Sequence, residues 1–106
     1  MATISVRLTE EGLTFASPNG RTAAIRFAEY PEVFRHPRHI VADFDRAEAL
    51  IRKSIHAVAG KWDFLAPRVN ISIEKQLAGG WCDIDKRIIK ELFIFAGSRS
   101  VDLHGI

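Results

Sequence analysis

The densest cationic stretch of this chain is the run Arg35-His36-Pro37-Arg38-His39. Guanidinium groups bind phosphates and carboxylates, and histidine changes its charge near neutral pH. The run therefore predicts a binding site for phosphate or for an acidic partner, and its histidines are candidate pH sensors. The alternative is a solvated loop between two elements, which is the commoner role of such runs. The candidate contact residues are Arg35, His36, Arg38 and His39.

Cys82 is the single cysteine, so the chain has no disulfide framework. It precedes a predicted helix, whose N-terminus lowers the pKa of a thiol and would suit a nucleophile. No histidine is close to it in sequence, and the alternative is a small, half-buried residue ahead of the helix. A metal site built from His36, His39, His56 and Cys82 is conceivable by residue type. Their spacing matches no zinc motif, however, and we expect neither a metal nor a cofactor.

Aromatic residues supply the other candidate contacts with a partner, because aromatic side chains are favoured as anchors at protein interfaces. The candidates are Trp62, Phe64 and Trp81. The alternative for Trp62 and Phe64 is that they cover the end of the first long helix.

The elements that would position these residues begin with three strands. Ile4, Val6 and Leu8 alternate with polar residues, as in a half-buried strand. A second strand begins with Leu13 and Phe15, and a Ser-Pro-Asn-Gly turn separates it from a third. The third carries Ala23, Ile25 and Phe27 on one face. The N-terminal quarter is therefore predicted to be an antiparallel meander.

Two amphipathic helices follow, each leading into a strand. We expect the first helix to be capped by Asp43 and to end near Gly60, and the second to open at Asp83 and stop at Gly97. Pro31 can begin one further helical turn, and residues 74–81 are expected to form a mobile loop. Asp83 and Asp85 fall in the first turn, where acidic residues complement the helix dipole. The predicted apolar stripe of the first helix consists of Phe44, Ala47, Leu50, Ile51, Ile55 and Val58. That of the second helix consists of Ile84, Ile88, Leu92, Phe95 and Ala96, and Ile89 and Phe93 widen it. The two later strands carry Val69, Ile71 and Ile73, then Val101 and Leu103.

The order βββαβαβ predicts an α+β, two-layer fold of the ribonuclease-H-like or actin-like half-domain type, as one domain over residues 1–106. Right-handed crossovers would place both later strands parallel to the first. Ribonuclease chemistry needs carboxylates that converge from the first strand, the first helix and the next strand. The first strand offers only Ser5 and Arg7 as polar groups beyond its threonine, so we expect no such site.

Composition restricts the function further. The formal net charge of +2 makes nucleic-acid binding unlikely, and no apolar run resembles a signal peptide or a transmembrane segment. We therefore expect a cytoplasmic protein.

The second half of the chain resembles the bacterial actin-like rod-shape-determining protein MreB family. In that family a prolyl turn leads into an Ala-Asp-Phe helix start, similar to residues 36–44 here, and a Pro-Arg-Val strand follows, similar to residues 67–69. A helix rich in acidic and arginine residues that ends in Ala-Gly is similar to residues 83–97, and the next strand to Arg99, Val101 and Leu103. The likeness covers about two-thirds of the chain and implies the actin-like fold.

The departures from the family decide the expected activity. Residues 6–12 stand where the family has its first phosphate loop, but they contain Glu10 and Glu11, whose charges oppose a polyphosphate. The family's second turn is replaced by the longer stretch 74–81, and the sequence ends before the family's acidic segment and second phosphate loop.

We therefore expect no enzymatic activity and a non-catalytic module that binds a protein. The expected partner is a second copy, giving a homodimer that covers an exposed apolar face, or an actin-like cytoskeletal protein linked to bacterial cell shape. The alternative is a small protein or enzyme that binds a ligand or nucleotide through the loop 74–82 and the cationic run 35–39.

Overall fold

A computed structural model describes residues 3–35, 39–59 and 66–106. Five strands and three α-helices occur in these ranges. The strands are β1 (Thr3–Leu8), β2 (Gly12–Ala16), β3 (Thr22–Arg26), β4 (Arg68–Ile73) and β5 (Ser100–His104). The helices are α1 (Pro31–Phe34), α2 (Phe44–Ala59) and α3 (Asp83–Phe95), and a 3-10 turn covers Phe27–Glu29. Within these ranges, no helix has the length and hydrophobicity that crossing a membrane requires.

The strands form one mixed sheet in the order β3-β2-β1-β4-β5. β1, β2 and β3 pair antiparallel, whereas β4 pairs parallel with β1 and β5 pairs parallel with β4. The crossovers through α2 and α3 therefore return the chain to the sheet in the same direction each time. The molecule is a small α+β fold, and the predicted order of strands and long helices is confirmed.

One face of the sheet and the two long helices enclose the core. Ile4 and Val6 of β1 pair in register with Val69 and Ile71 of β4, and all four side chains are buried. The aromatic rings of Phe15 on β2 and Phe93 on α3 stack with centroids 6.1 Å apart, so α3 is tied to the opposite half of the sheet. The alternation seen in the sequence thus reports which strand positions face the helices.

The opposite face of the sheet is not covered by the described elements, and we call it the open face. Parallel strands are usually covered on both faces, so an exposed face across β1, β4 and β5 is unusual. Its side chains are short or polar, and large apolar residues are missing from it. Exposed members of the open face are Ser5, Arg7, Thr14, Ala16, Thr22, Ala24, Arg26, Arg68, Ser72, Asp102 and His104.

Helix α2 follows its sequence pattern closely. The backbone N–H of Arg46 donates to Asp43 Oδ1 at 3.1 Å, so the predicted cap is confirmed. The stripe is buried through Ala47, Ile51, Ile55 and Val58, while Phe44 and Leu50 are half-buried at its edge. The helix ends at Ala59, and its predicted stop at Gly60 lies outside the described residues.

Helix α3 differs from expectation in the face that it buries. Its buried side chains are Asp85, Ile89, Leu92 and Phe93, followed by Ala96 just beyond the helix. Ile84 and Phe95, which we placed in the core stripe, are 62% and 56% exposed. Apart from Ile94, the apolar residues of α3 span about half of its circumference, and the helix turns the Ile89–Phe93 side toward the sheet. Gly97 has the positive φ of +112° that ends such a helix, as predicted.

The third strand also ends earlier than expected. Phe27, assigned to β3 from its alternation, begins the 3-10 turn, yet its ring still packs against the core. Gly12, which precedes the predicted start of the second strand at Leu13, already belongs to β2 and lies close to β3. A Cβ atom at this position would collide with the backbone carbonyl of Ile25. The two strands therefore pack at a distance that only glycine permits.

Candidate functional site

A cleft of about 710 Å³ opens beyond the carboxyl ends of β1 and β4. We call it the end cleft. Its walls are residues 10–11, residues 26–28, Phe34 and Arg35 with His39, and residues 75–78. In open sheets with parallel strands, ligands bind in the crevice beyond the carboxyl ends of the strands. β1 and β4 are parallel neighbours in this sheet, so their carboxyl ends open onto the same cleft.

The loop after β4 is held in place by backbone and side-chain contacts with the first hairpin. The N–H groups of Glu74 and Lys75 both donate to the carbonyl of Leu8, at 2.8 and 3.0 Å. The N–H of Gln76 donates to Glu10 Oε1 at 2.7 Å. Trp81 folds back over the loop, and its Nε1–H donates to the carbonyl of Lys75 at 2.8 Å. The loop at residues 74–81, which the sequence predicts to be mobile, is therefore held by hydrogen bonds along its first half.

Glu10 organises the acidic wall of the end cleft. The hydrogen bond from the N–H of Gln76 lowers the pKa of Glu10, and the ammonium group of Lys75, 3.3 Å from Glu10 Oε2, adds to this effect against the opposing effect of burial. Glu11 lines the same wall and makes no ion pair within the described ranges. Two carboxylates thus face the cleft at the position where the resemblance would place a phosphate.

Aromatic rings and cations form the other side of the end cleft. The rings of Phe27 and Phe34 pack with centroids 4.7 Å apart, and the Lys75 ammonium lies 5.7 Å from the Phe27 centroid. Arg26 and Arg35 are exposed at the edge. The cleft therefore offers an apolar surface beside charges of both signs. Such a site suits a small molecule that carries an aromatic or acyl group next to a carboxylate.

A second charged pair lies beside the cleft on the sheet. The guanidinium of Arg7 donates to both carboxylate oxygens of Glu74, at 2.8 and 3.0 Å. These hydrogen bonds raise the pKa of Arg7 and lower that of Glu74. Both side chains are well exposed, so water and salt screen the pair. The pair orients the start of the loop more than it stabilises the fold.

The predicted contact residues fall into three groups. Arg35 lines the end cleft, and His39 lines it with a half-buried ring. Trp81 is half-buried beside the loop, with its indole N–H engaged as described above. The remaining four candidates lie outside the described residues: His36, Arg38, Trp62 and Phe64.

A polar cluster at the start of α3 was not expected from the sequence. Asp85 is only 2% exposed and accepts hydrogen bonds from the N–H and the thiol of Cys82, each at 3.1 Å. His39 Nδ1 lies 3.5 Å from the other carboxylate oxygen of Asp85. Burial raises the pKa of Asp85, but the hydrogen bonds from Cys82 and His39 outweigh it, and the pKa lies below its ordinary value.

This cluster works as a helix cap. Cys82 is the N-cap residue of α3, and Asp85 completes a capping box by accepting from the Cys82 backbone. Cys82 is exposed and not half-buried, and its thiol donates to the Asp85 carboxylate. This contact between described residues pairs the thiol with a carboxylate and not with the imidazole that commonly activates a cysteine nucleophile. Within the part of the chain that the structure describes, no three acidic, cysteine or histidine side chains are grouped so as to hold a metal ion.

No protein-family model matches this chain, and no curated protein is significantly similar to it. The likeness to the MreB family thus depends on the order and spacing of the residues themselves.

The outer surface of α3 is a second candidate site. Of the four large apolar side chains exposed in the described ranges, Ile84, Ile94 and Phe95 lie on this helix, and the fourth is Ile106. The ring of Phe95 also meets the edge of Phe44 on α2, with centroids 6.1 Å apart. The apolar surface of α3 thus continues onto the neighbouring helix.

Proposed function

We propose that this chain is an actin-like half-domain of the MreB type, with a ribonuclease-H-like topology, that serves as a protein-interaction module and not as an enzyme. The strand order β3-β2-β1-β4-β5, with β4 and β5 parallel to β1, supports this assignment. It is the pairing that right-handed crossovers from an antiparallel meander would produce. The partner is a second copy of the chain or an actin-like filament protein.

The observation that carries the interaction role is the exposed apolar surface of α3. Helix α2 keeps its large apolar residues buried or half-buried, whereas α3 exposes Ile84, Ile94 and Phe95 to solvent. Each large apolar side chain gains roughly 1.5–3 kcal/mol when it is fully buried. Three such side chains on one short helix therefore favour a surface that is covered by a partner.

The end cleft supports the absence of nucleotide chemistry. A triphosphate at the carboxyl end of β1 would face Glu10 and Glu11, and Lys75, one of the cations that line the cleft, is already paired with Glu10. Bringing further negative charge to this wall costs Coulomb energy.

Photo-cross-linking tests the interaction role. Benzoylphenylalanine is placed at Ile84 on α3 and, as the matched control, at Thr14 on the open face, and the full chain is expressed in its native cells. We expect a discrete adduct from position 84, identified by mass spectrometry as a second copy or an actin-like protein, and none from position 14. No adduct at 84, or equal adducts from both positions, would refute the proposal.

The second candidate function is binding of a small ligand in the end cleft. One observation favours it: the fold brings the loop after β4 and the cationic run into the same cavity, through residues 75–78, Arg35 and His39. These segments are far apart in sequence, and their convergence on an aromatic surface is what a binding site requires.

A thermal-shift series separates the two functions. Phenylacetate, hexanoate, ATP with Mg²⁺, and Zn²⁺ are added to the wild-type chain, to Arg35→Ala at the cleft and to Arg68→Ala on the open face. A shift with a carboxylate that disappears in Arg35→Ala and persists in Arg68→Ala supports ligand binding. A shift with ATP that behaves in the same way contradicts the assignment of Glu10 and Glu11 as a barrier to nucleotide. No shift with any probe rejects the second function.

A further inference from the structure

The exposed residues of α3 follow a spacing that a second helix can match. Ile84, Ile88, Glu91 and Phe95 recur at intervals of four, three and four residues, which places them on one line along the helix. We call this line the outer stripe. Ile84 and Phe95 stand at its two ends, about 16 Å apart along the axis at 1.5 Å per residue. Both ends are apolar and exposed, with Ile88 half-buried between them.

Two copies of the outer stripe complement each other when they run antiparallel. With a two-fold axis between residues 89 and 90, Ile84 of one copy meets Phe95 of the other, and this contact occurs twice. The same axis places Ile88 opposite Glu91 of the partner. Arg87, one residue away, lies beside that Glu91, and each of these contacts occurs twice. Antiparallel helices that are related by a two-fold axis bring the same flank of each helix together, so both ion pairs fall on one side of the contact.

The charges needed for this contact are not used elsewhere. Arg87 and Glu91 are both exposed. None of the ion pairs among the described residues involves either of them. With the axis between residues 89 and 90, the position opposite Arg87 is residue 92 of the partner, one residue from Glu91.

We propose that the outer stripe of α3 binds the same stripe of a second copy, giving an isologous antiparallel dimer with Ile84–Phe95 contacts and Arg87–Glu91 ion pairs across the axis. This inference rests on the proposed interaction function and names its partner and surface. A contact centred on one helix pair is smaller than the roughly 1,200–2,000 Å² of stable complexes. The dimer is therefore weak and depends on protein concentration.

Sedimentation equilibrium of the full chain tests the apolar contacts. We expect wild-type protein to shift from monomer to dimer over a concentration range of roughly 10–500 μM, as a weak interface does. Ile84→Glu should raise the dissociation constant at least about tenfold, the factor that corresponds to about 1.4 kcal/mol. Ile106→Glu is the matched control, since Ile106 is also an exposed isoleucine but lies outside α3, and it should leave the constant unchanged. Equal effects of both substitutions would overturn the proposed surface.

Charge exchange tests the ion pairs and their intermolecular nature. Arg87→Glu and Glu91→Arg should each weaken self-association, because each places like charges across the axis. An equimolar mixture of the two variants should form a heterodimer, because every cross-axis pair then joins opposite charges. Circular dichroism melts of both variants should match the wild type closely, since both residues are exposed. A mixture that stays monomeric while each fold is intact contradicts the dimer geometry.

The dimer can be refuted without refuting the interaction function, because the two are tested by different experiments. A wild-type chain that remains monomeric at about 500 μM overturns the dimer. In that case an adduct of position 84 with a different protein still supports an interaction module. Absence of any adduct at position 84 rejects the function itself, whatever the sedimentation result.

Discussion

Replacing Asp85 with asparagine tests whether the start of α3 depends on a buried carboxylate. The substitution keeps the size of the side chain but removes its charge and one of its two acceptor oxygens. Asp85 receives the Cys82 N–H on one oxygen and faces His39 with the other. The amide NH₂ of asparagine must point toward one of these groups. Facing the Cys82 N–H it meets another donor, and facing His39 Nδ1 it forms a hydrogen bond only when that nitrogen carries no proton.

The expected cost follows from those contacts. A hydrogen bond to a charged group contributes about 1.5–3 kcal/mol, and a buried group left without a partner adds to the loss. Asparagine still accepts one bond, so we expect Asp85→Asn to lower the free energy of unfolding by about 2 kcal/mol. At 4–8 °C per kcal/mol, the melting temperature of a domain near this size falls by about 8–16 °C.

Asp83→Asn is the matched control. Asp83 occupies the same helical turn but is exposed, and it contributes only through the helix dipole. Removing its charge should cost about 0.3–1 kcal/mol. Urea unfolding followed by circular dichroism at 222 nm compares the wild type with both variants.

The pH dependence provides a second test of the same carboxylate. Because the pKa of Asp85 is lower in the folded chain than its ordinary value of 3.8, the ionised form stabilises the fold. Its contribution is complete above the unfolded pKa and is lost as the pH falls through the folded pKa. The stability difference between wild type and Asp85→Asn should therefore be constant above about pH 5 and shrink below about pH 4. A difference that is no larger than that of Asp83→Asn, or that grows in acid, would refute the reasoning.

Two further substitutions test the packing. Gly12→Ala should lower the free energy of unfolding by about 3 kcal/mol, since its Cβ would strike the carbonyl of Ile25 and push β3 away from β2. The control Thr14→Ala, on the open face, should cost less than about 1 kcal/mol. Similar unfolding midpoints for the two would contradict the close approach of these strands. Phe93→Ala should cost about 3–5 kcal/mol because its ring is fully buried, against about 1 kcal/mol or less for exposed Phe95→Ala, measured in the same urea titration. The reverse ranking would show that Phe95, and not Phe93, faces the core.

The strands and α2 were readable from the sequence because each has a single dominant pattern. Alternation at Ile4, Val6 and Leu8 admits one buried face, and Asp43 marks where α2 begins. The end of β3 was less clear, because Phe27 continues the alternation while its backbone has already turned. The alternation of apolar residues predicts which side chains are buried, but it does not predict the residue at which the chain leaves the sheet.

Helix α3 and the end cleft show what sequence patterns leave undetermined. Apolar residues occupy so wide an arc of α3 that the pattern allows more than one orientation, and the packing of Phe93 against Phe15 decides between them. Asp85 was assigned to the dipole because its contact with His39 joins residues that are remote in sequence. The contact of Gln76 with Glu10 likewise joins segments that only the parallel pairing of β4 with β1 brings together.

The open face gives this small fold an uncommon freedom. Every second residue of the strands points away from the helices. These side chains do not pack in the core, so core packing does not limit their size. A library that varies Ser5, Thr14, Ala24 and Ser72 together would therefore sample new surfaces on an unchanged scaffold. The architecture thus separates the residues that determine folding from those available for engineered recognition.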